Sequence, residues 1–210
     1  MMILGFLGSP RLDGNTNKVL KKFLAGAESK GAKTKLYELI NCNIDFCKGC
    51  YQCEFENHDL PIGKCQLEDD MASILKEYIQ ADGYVFATPN YDGSITALMK
   101  RFLERKIALT YRDADEYGKI GNSRCPANFT KKASMIVTAN CGDEMREMMG
   151  DPCFELMGGH LMIEQVDTVD QYYVGGVENL TEETFAEKLD EAYRMGIRLV
   201  EEIEKSRQED

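Results

Sequence analysis

The chain predicts a doubly wound α/β fold, a five-stranded parallel sheet in the order 2-1-3-4-5 with helices on both faces. Three observations lead there. MILGFLG (Met2–Gly8), a continuous apolar run, reads as a strand buried on both faces, GYVFATP (Gly83–Pro89) as another buried strand and ASMIVTAN (Ala133–Asn140) as a further strand. Segments of helical periodicity stand between them, and such alternation closes through right-handed crossovers onto one sheet. The length of 210 residues fits one domain over 1–210, with no internal repeat and no linker.

Taken in order, the first strand ends in Gly-Ser-Pro and leads to a helix with Val19, Leu20, Phe23, Leu24 and Ala27 on one face. Lys18, Lys21 and Lys22 lie opposite, and Gly31 closes it. KTKLYELI (Lys33–Ile40) alternates and predicts a second strand nearer the sheet edge. DDMASILKEYIQ opens with two aspartates at the positive end of a helix and turns Met71, Ile74, Leu75, Tyr78 and Ile79 inward. After the third strand, ITALMKRFLERKIAL predicts a helix with Ile95, Leu98, Met99, Phe102 and Leu103 on its apolar face. The polar stretch over 111–132 exceeds the usual loop length and is expected to be a functional flap, an oligomer contact or both. Beyond the fourth strand, a Met-rich helical stretch must kink or restart at Asp151-Pro152. HLMIEQVDTVD (His160–Asp170) reads as the fifth strand, and a last helix starts near Thr181 and frays in the acidic tail EEIEKSRQED.

A formal charge of −11 disfavours nucleic acid and anionic membrane as partners. No apolar run approaches the twenty or so residues of a membrane span, and MMILGFLGSP lacks the basic start of a signal peptide. A cytoplasmic chain is expected. In that reducing pool clustered cysteines are more often metal ligands or redox groups than disulfides.

In doubly wound sheets ligands bind beyond the carboxyl ends of the strands. The connection after the first strand, GSPRLDGNT (Gly8–Thr16), offers backbone N–H groups and a helix N-terminus to a phosphate. Ser9, Asn15 and Thr16 add hydrogen bonds and Arg11 a charge. The bland alternative is an N-capping turn with no ligand. GSPRLDGNT followed by TPNYDGSITALMKRFLER (Thr88–Arg105) resembles the NAD(P)H-dependent FMN reductases of flavodoxin-like fold, from Met2 to about Val169. The resemblance implies that Ser9, Arg11, Asn15 and Thr16 hold the FMN phosphate. It also implies that Pro89, Asn90, Tyr91, Asp92, Gly93 and Ser94 run along the ribityl chain and flavin ring. Asn140, in ANCGDE (Ala139–Glu144), is expected to close the other side, with Cys141 beside it as a small buried thiol.

Four of the eight cysteines crowd into CKGCYQCEFENHDLPIGKC, in a cysteine-rich loop over 42–68. Cys47, Cys50 and Cys53 are three apart, and Cys65 follows eleven intervening residues later. Close thiols completed by a remote fourth are a feature of iron–sulfur ligation. Zinc held by four cysteines, or by three and His58, is an alternative, as are free or structural thiols. The resembled family has an iron–sulfur flavoprotein branch that carries its cluster cysteines in this place, though with a shorter gap before the fourth; many cluster-free relatives keep similar cysteines. The resemblance thus implies a 4Fe-4S cluster on Cys47, Cys50, Cys53 and Cys65.

For function it implies an oxidoreductase in which NAD(P)H or another donor reduces the flavin and no side-chain catalyst is needed. A cluster would exchange single electrons with ferredoxin-like partners, and homodimers or homotetramers are expected. The alternatives are a flavodoxin-like non-enzymatic electron carrier, whose T-x-T-G-x-T loop this chain lacks, and a zinc-stabilised interaction module. His58 and His160 stand in no triad spacing; Lys100, Glu104 and Arg105 read as structural ion pairs; and Met145, Met148 and Met149 as packing or an oligomer face.

Overall fold

A sheet that is apolar on both faces needs a layer of helix on each, and the chain supplies both. The computed structural model describes every residue except 57, 114, 116, 117, 126–130 and 210. In chain order the elements begin with β1 (Met2–Leu7), α1 (Asn15–Ser29), β2 (Lys33–Glu38), α2 (Gln52–Phe55), α3 (Met71–Gln80) and β3 (Gly83–Tyr91). Then come β4 (Ser94–Ile95), α4 (Ala97–Arg105), a 3-10 turn (Lys106–Leu109), β5 (Thr110–Tyr111) and β6 (Asn122–Ser123). The chain finishes with β7 (Lys131–Thr138), α5 (Arg146–Met149), α6 (Asp151–Ile163), β8 (Val166–Val174) and α7 (Glu182–Glu209). The main strands pair in parallel as β2-β1-β3-β7-β8, the expected order 2-1-3-4-5. No helix among the described residues is long and apolar enough to cross a membrane.

Side chains alternate across a strand, so β1 serves both layers. Ile3 and Leu7 face α1 and α7, while Leu4 and Phe6 face α3, α4 and α6. Phe6 stacks on Phe102, Phe86 and Tyr37 with centroids 4.5, 5.2 and 5.4 Å away. Each such pair adds about 0.5–1.5 kcal/mol beyond area burial. On the other face α1 and α7 touch backbone to backbone. A methyl group on Gly26 would overlap the Tyr193 carbonyl, and one on Gly196 the Phe23 carbonyl.

One charged pair lies inside the α3–α4–α6 layer. Lys106, 1% exposed, donates to Tyr78 Oη at 3.0 Å and stands 3.0 Å from Glu164 Oε2, which also accepts from Tyr78 Oη at 2.6 Å. Burial pushes the Lys106 ammonium down and the Glu164 carboxyl up, and each partner opposes the other's shift. The pair persists because its hydrogen bonds close on themselves.

Three expectations are corrected. His160–Ile163 finish α6 rather than open a strand: Met157 and Leu161 are buried four apart, continuing the helical stripe. Gln165 then turns at φ 59°, and the fifth strand is β8, Val166–Val174. The acidic tail continues α7 as far as Glu209, with Ile203 packed in the core, and position 210 lies outside the described residues. The helix expected from Ile95 begins at Ala97, because Ser94–Ile95 pair back on β3. Within 111–132, Thr110–Tyr111 and Asn122–Ser123 form a hairpin ladder, and Lys131 already belongs to β7; positions 114, 116, 117 and 126–130 of that stretch lie outside the described residues. The restart at Pro152 is as expected, with α5 ending at Met149 and Pro152 in the first turn of α6.

Candidate functional site

At the carboxyl ends of β1, β3 and β7 lies a cleft of about 440 Å³, within the range of small-molecule sites. Its floor is the start of α1. Gly14 is the N-cap and supplies no side-chain bond, so the first N–H groups of a fifteen-residue helix open toward the cleft lined by Gly14, Asn15 and Thr16. That is a positive helix end beside small hydroxylated residues, suited to an anion. The loop before it is tightly formed. Ser9 Oγ accepts from Arg11 N at 3.1 Å, Gly14 N donates to Arg11 O at 3.1 Å, and Thr16 Oγ1 shares a 2.6 Å hydrogen bond with Thr138 Oγ1. The Arg11 side chain is 71% exposed at the rim, and its ion pair is a 3.5 Å contact with Glu178 across the mouth.

The second wall is the β3–β4 turn. Asp92 and Gly93 have φ of 52° and 75°, the doubly left-handed turn that Asp-Gly favours in a two-residue hairpin. Asn90 anchors it. Its Nδ2 donates to Met149 O, and its Oδ1 accepts from Gly93 N at 3.1 Å. Pro89 and Tyr91 complete this wall, Tyr91 being 44% exposed and free to lie against a planar ligand. The third wall carries Ala139, Asn140 and Cys141, tied down by Gly176 N to Cys141 O at 2.8 Å and Tyr173 Oη to Cys141 O at 3.1 Å.

The structure therefore gathers Ser9, Arg11, Asn15, Thr16, Pro89, Asn90, Tyr91, Asp92, Gly93 and Asn140 around one cleft. Ser94 stands outside it, taken up by the β4 ladder. Cys141 is half-buried in the wall rather than fully buried. Sequence reading missed Thr138, Met149, Val177 and Glu178, which also line it. Val177 O accepts from Asn15 Nδ2 at 2.8 Å, a contact spanning most of the chain that no local motif announces.

Cys47, Cys50, Cys53 and Cys65 converge elsewhere, on a separate cavity of about 30 Å³ walled by Leu67, Ile107, Ala108 and Arg105. Gly49 and Tyr51, at φ of 61° and 58°, turn the chain between the first three cysteines, which all line this cavity. All four are free thiols. Burial pushes the Cys53 thiol up to about 12, with further contributions from Cys65, Glu54, Cys47 and Cys50. Arg105 Nη2 lies 3.5 Å from Cys65 Sγ and 3.1 Å from Asp69 Oδ1, and its Nη1 donates to Asp69 Oδ2 and to Asp45 O. Burial works against Asp69 ionising, yet the Arg105 hydrogen bonds hold its carboxyl below the ordinary range.

Among the described residues no group of three or more His, Cys, Asp or Glu side chains is placed to hold a metal ion. His58, the alternative fourth zinc ligand, turns to Asp113 (3.3 Å) and Tyr111 instead. Lys100 and Glu104 do form an ion pair, at 2.7 Å.

The sequence profile described as NADPH-dependent FMN reductase matches residues 1–144. The chain belongs to that family. It is similar to an iron-sulfur flavoprotein of Methanocaldococcus jannaschii, 33% identical over 109 residues, covering 52% of this chain and 53% of that protein. An iron-sulfur flavoprotein of Archaeoglobus fulgidus is 32% identical over 123 residues, covering 59% and 53%. The chain spans about half the length of these curated relatives. Among solved structures, an NAD(P)H:quinone oxidoreductase from Methanothermobacter marburgensis superposes with a TM-score of 0.70 at 18% identity, over 95% of this chain and 98% of that one. An FMN-dependent NADH-azoreductase from Bacillus anthracis, in complex with FMN, does so at 0.66 and 14%, over 95% and 100%. At such identities the likeness establishes the flavodoxin-like fold.

Proposed function

We propose that this family member is an FMN-dependent oxidoreductase that takes its electrons from NAD(P)H. The observation that carries the reading is the uncapped α1 N-terminus opening onto the 440 Å³ cleft beside Ser9, Thr16 and Arg11. The first α1 amides with Ser9 and Thr16 would hold the phosphate, and Arg11 would cover it from the rim. Pro89–Gly93 would border the ring, with Tyr91 against its face and Asn140 and Cys141 opposite. When bound, FMN supplies the redox chemistry. The chain's own residues bind, orient and shield it, and no side-chain acid or base is required.

The four-thiol cavity extends the proposal. Four cysteines lining one small, mostly apolar cavity, with the buried Cys53 thiol costly to ionise on its own, suit an occupant that takes thiolates. A 4Fe-4S cluster takes one cysteine at each of four irons, and the four cysteines on this cavity match that number. On this reading Cys47, Cys50, Cys53 and Cys65 are the ligands, and ferredoxin-like proteins are the partners. Homo-oligomerisation and a cytoplasmic setting complete the proposal.

The test is a visible spectrum with iron and sulfide analysis on protein purified without air, followed by NADH and NADPH oxidation assays. Flavin bands with turnover of either nicotinamide are expected, and iron with sulfide if the cavity holds a cluster. Protein that retains no FMN after reconstitution sinks the whole reading. FMN-loaded protein that exchanges electrons with ferredoxin but turns over no nicotinamide would make it an electron carrier.

A further inference from the structure

Between Cys53 and Cys65 the chain, of which all but position 57 is described, returns at Gly63 to the point where it left Cys53. Gly63 N donates to Ala108 O at 2.7 Å, and its Cα lies so close to the Cys53 carbonyl that a methyl group there would overlap it. Cys65 follows two residues on. The excursion is a closed loop, so its long contour does not part the third and fourth sulfurs, which line the same cavity.

Ordering such a loop costs entropy, and something must hold it shut. Arg124, just beyond β6, reaches into it. Nη2 donates to Cys53 O (3.0 Å) and Glu56 O (3.1 Å), Nη1 to Leu60 O (2.9 Å) and His58 O (3.2 Å), and Nε to Thr110 O (2.8 Å). A guanidinium carries five N–H donors in a fixed fork, and the five contacts named here all go to backbone carbonyls. The loop is riveted to the same hairpin a second time: Glu54 Oε1 accepts from Thr110 Oγ1 at 2.8 Å and Arg112 Nε at 3.0 Å.

We infer that Arg124 is a positioning residue of the four-thiol site: by closing the loop that follows Cys53 it delivers Cys65 to Cys47, Cys50 and Cys53. The hairpin of β5 and β6 is therefore scaffolding for that site. What occupies the site rests on the cluster reading above; the clamp does not. Lysine cannot substitute, because its compact ammonium offers three donors and no fork.

The experiment compares wild type, Arg124→Lys and Gly63→Ala, all purified without air. Two quantities are read: hydrogen exchange at the amides of Gly63 and Arg112, which bond Ala108 O and Glu54 O, and loss of iron to a chelator. Both variants should exchange those amides and lose iron at least about tenfold faster than wild type, with FMN content unchanged. Wild-type exchange and wild-type iron retention in both variants would overturn the inference. Should Arg124→Lys also lose FMN, its damage is global, and Gly63→Ala, which touches only the loop closure, decides by the same two readings. Wild-type protein free of iron refutes the cluster reading alone; exchange then decides the clamp, faster in the variants supporting it and unchanged overturning it.

Discussion

Replacing Arg11 by alanine should weaken FMN binding while leaving riboflavin, which lacks the phosphate, bound as before. The size of the loss follows from the geometry. In the free protein the Arg11 side chain is 71% exposed and paired with Glu178 at 3.5 Å, an exposed contact worth about 0–1 kcal/mol. A charge-assisted hydrogen bond to phosphate is worth about 1.5–3 kcal/mol. Exchanging one for the other leaves a net of roughly 0.5–3 kcal/mol, or about 2- to 160-fold in Kd. The assay is quenching of flavin fluorescence on titration into flavin-free protein, run with FMN and riboflavin at two salt concentrations. The difference between them should shrink at the higher salt, because the rim is open to screening. Glu178→Gln should act the other way and tighten FMN modestly, since it removes the carboxylate that competes for the guanidinium. Equal losses for FMN and riboflavin would refute the reasoning, for then Arg11 shapes the cleft rather than holding a phosphate.

Three further outcomes are expected. Glu164→Gln strips the buried Lys106 of its counter-charge and should cost about 3–5 kcal/mol in urea unfolding, whereas Lys106→Met with Glu164→Leu should recover at least about 2 kcal/mol of that; strictly additive losses would show that the pair is not coupled. Cys50→Ala should abolish iron–sulfur absorption and keep the FMN, because the two cavities share no lining residue, and loss of both would mean the sites are not separate. Burial, with Lys106 and Lys100 nearby, pushes His160 from 6.5 down to about 4. Between those values the unfolded chain holds a proton that the folded chain refuses, so stability should fall as pH falls from 6.5 toward 4. His160→Gln should flatten that fall in unfolding curves taken across the window, and an unchanged slope would remove His160 as the cause.

The central sheet was legible because its signals are local. The apolar runs at Met2–Leu7 and Gly83–Tyr91, and the inward faces of α1 and α3, need no knowledge of distant residues. The two cleft loops were legible for the same reason, each lying within a few residues of a strand end. His160–Ile163 misled because a short apolar run suits helix and strand alike, and what decides is the Met157–Leu161 spacing onto the core. Glu178, Val177 and Arg124 were invisible for a different reason. Each works through a contact to a residue far away in sequence, from Val177 to Asn15 and from Arg124 to Cys53, and neither glutamate, valine nor arginine carries a signature of such a partner.

The two cavities hang from one helix. At the start of α4, Thr96 Oγ1 accepts from Met99 N at 3.2 Å and donates to Gly8 O, fixing the helix to the loop before α1. At its last residue Arg105 touches Cys65 Sγ at 3.5 Å. Nine helical residues rise about 13.5 Å, so on the proposed reading the flavin loop and the thiol cavity are anchored to opposite ends of a helix of that length. Two routes then compete for an electron moving between them: along α4 within one chain, or across a contact to the flavin of a second copy. They differ in molecularity. A route within the chain gives a rate of internal electron exchange that is independent of protein concentration, whereas a route between copies slows on dilution below the dissociation constant of the contact. A rate that holds constant while sedimentation shows the assembly coming apart would assign the route to α4; a rate that falls with the assembly would remove α4 from it.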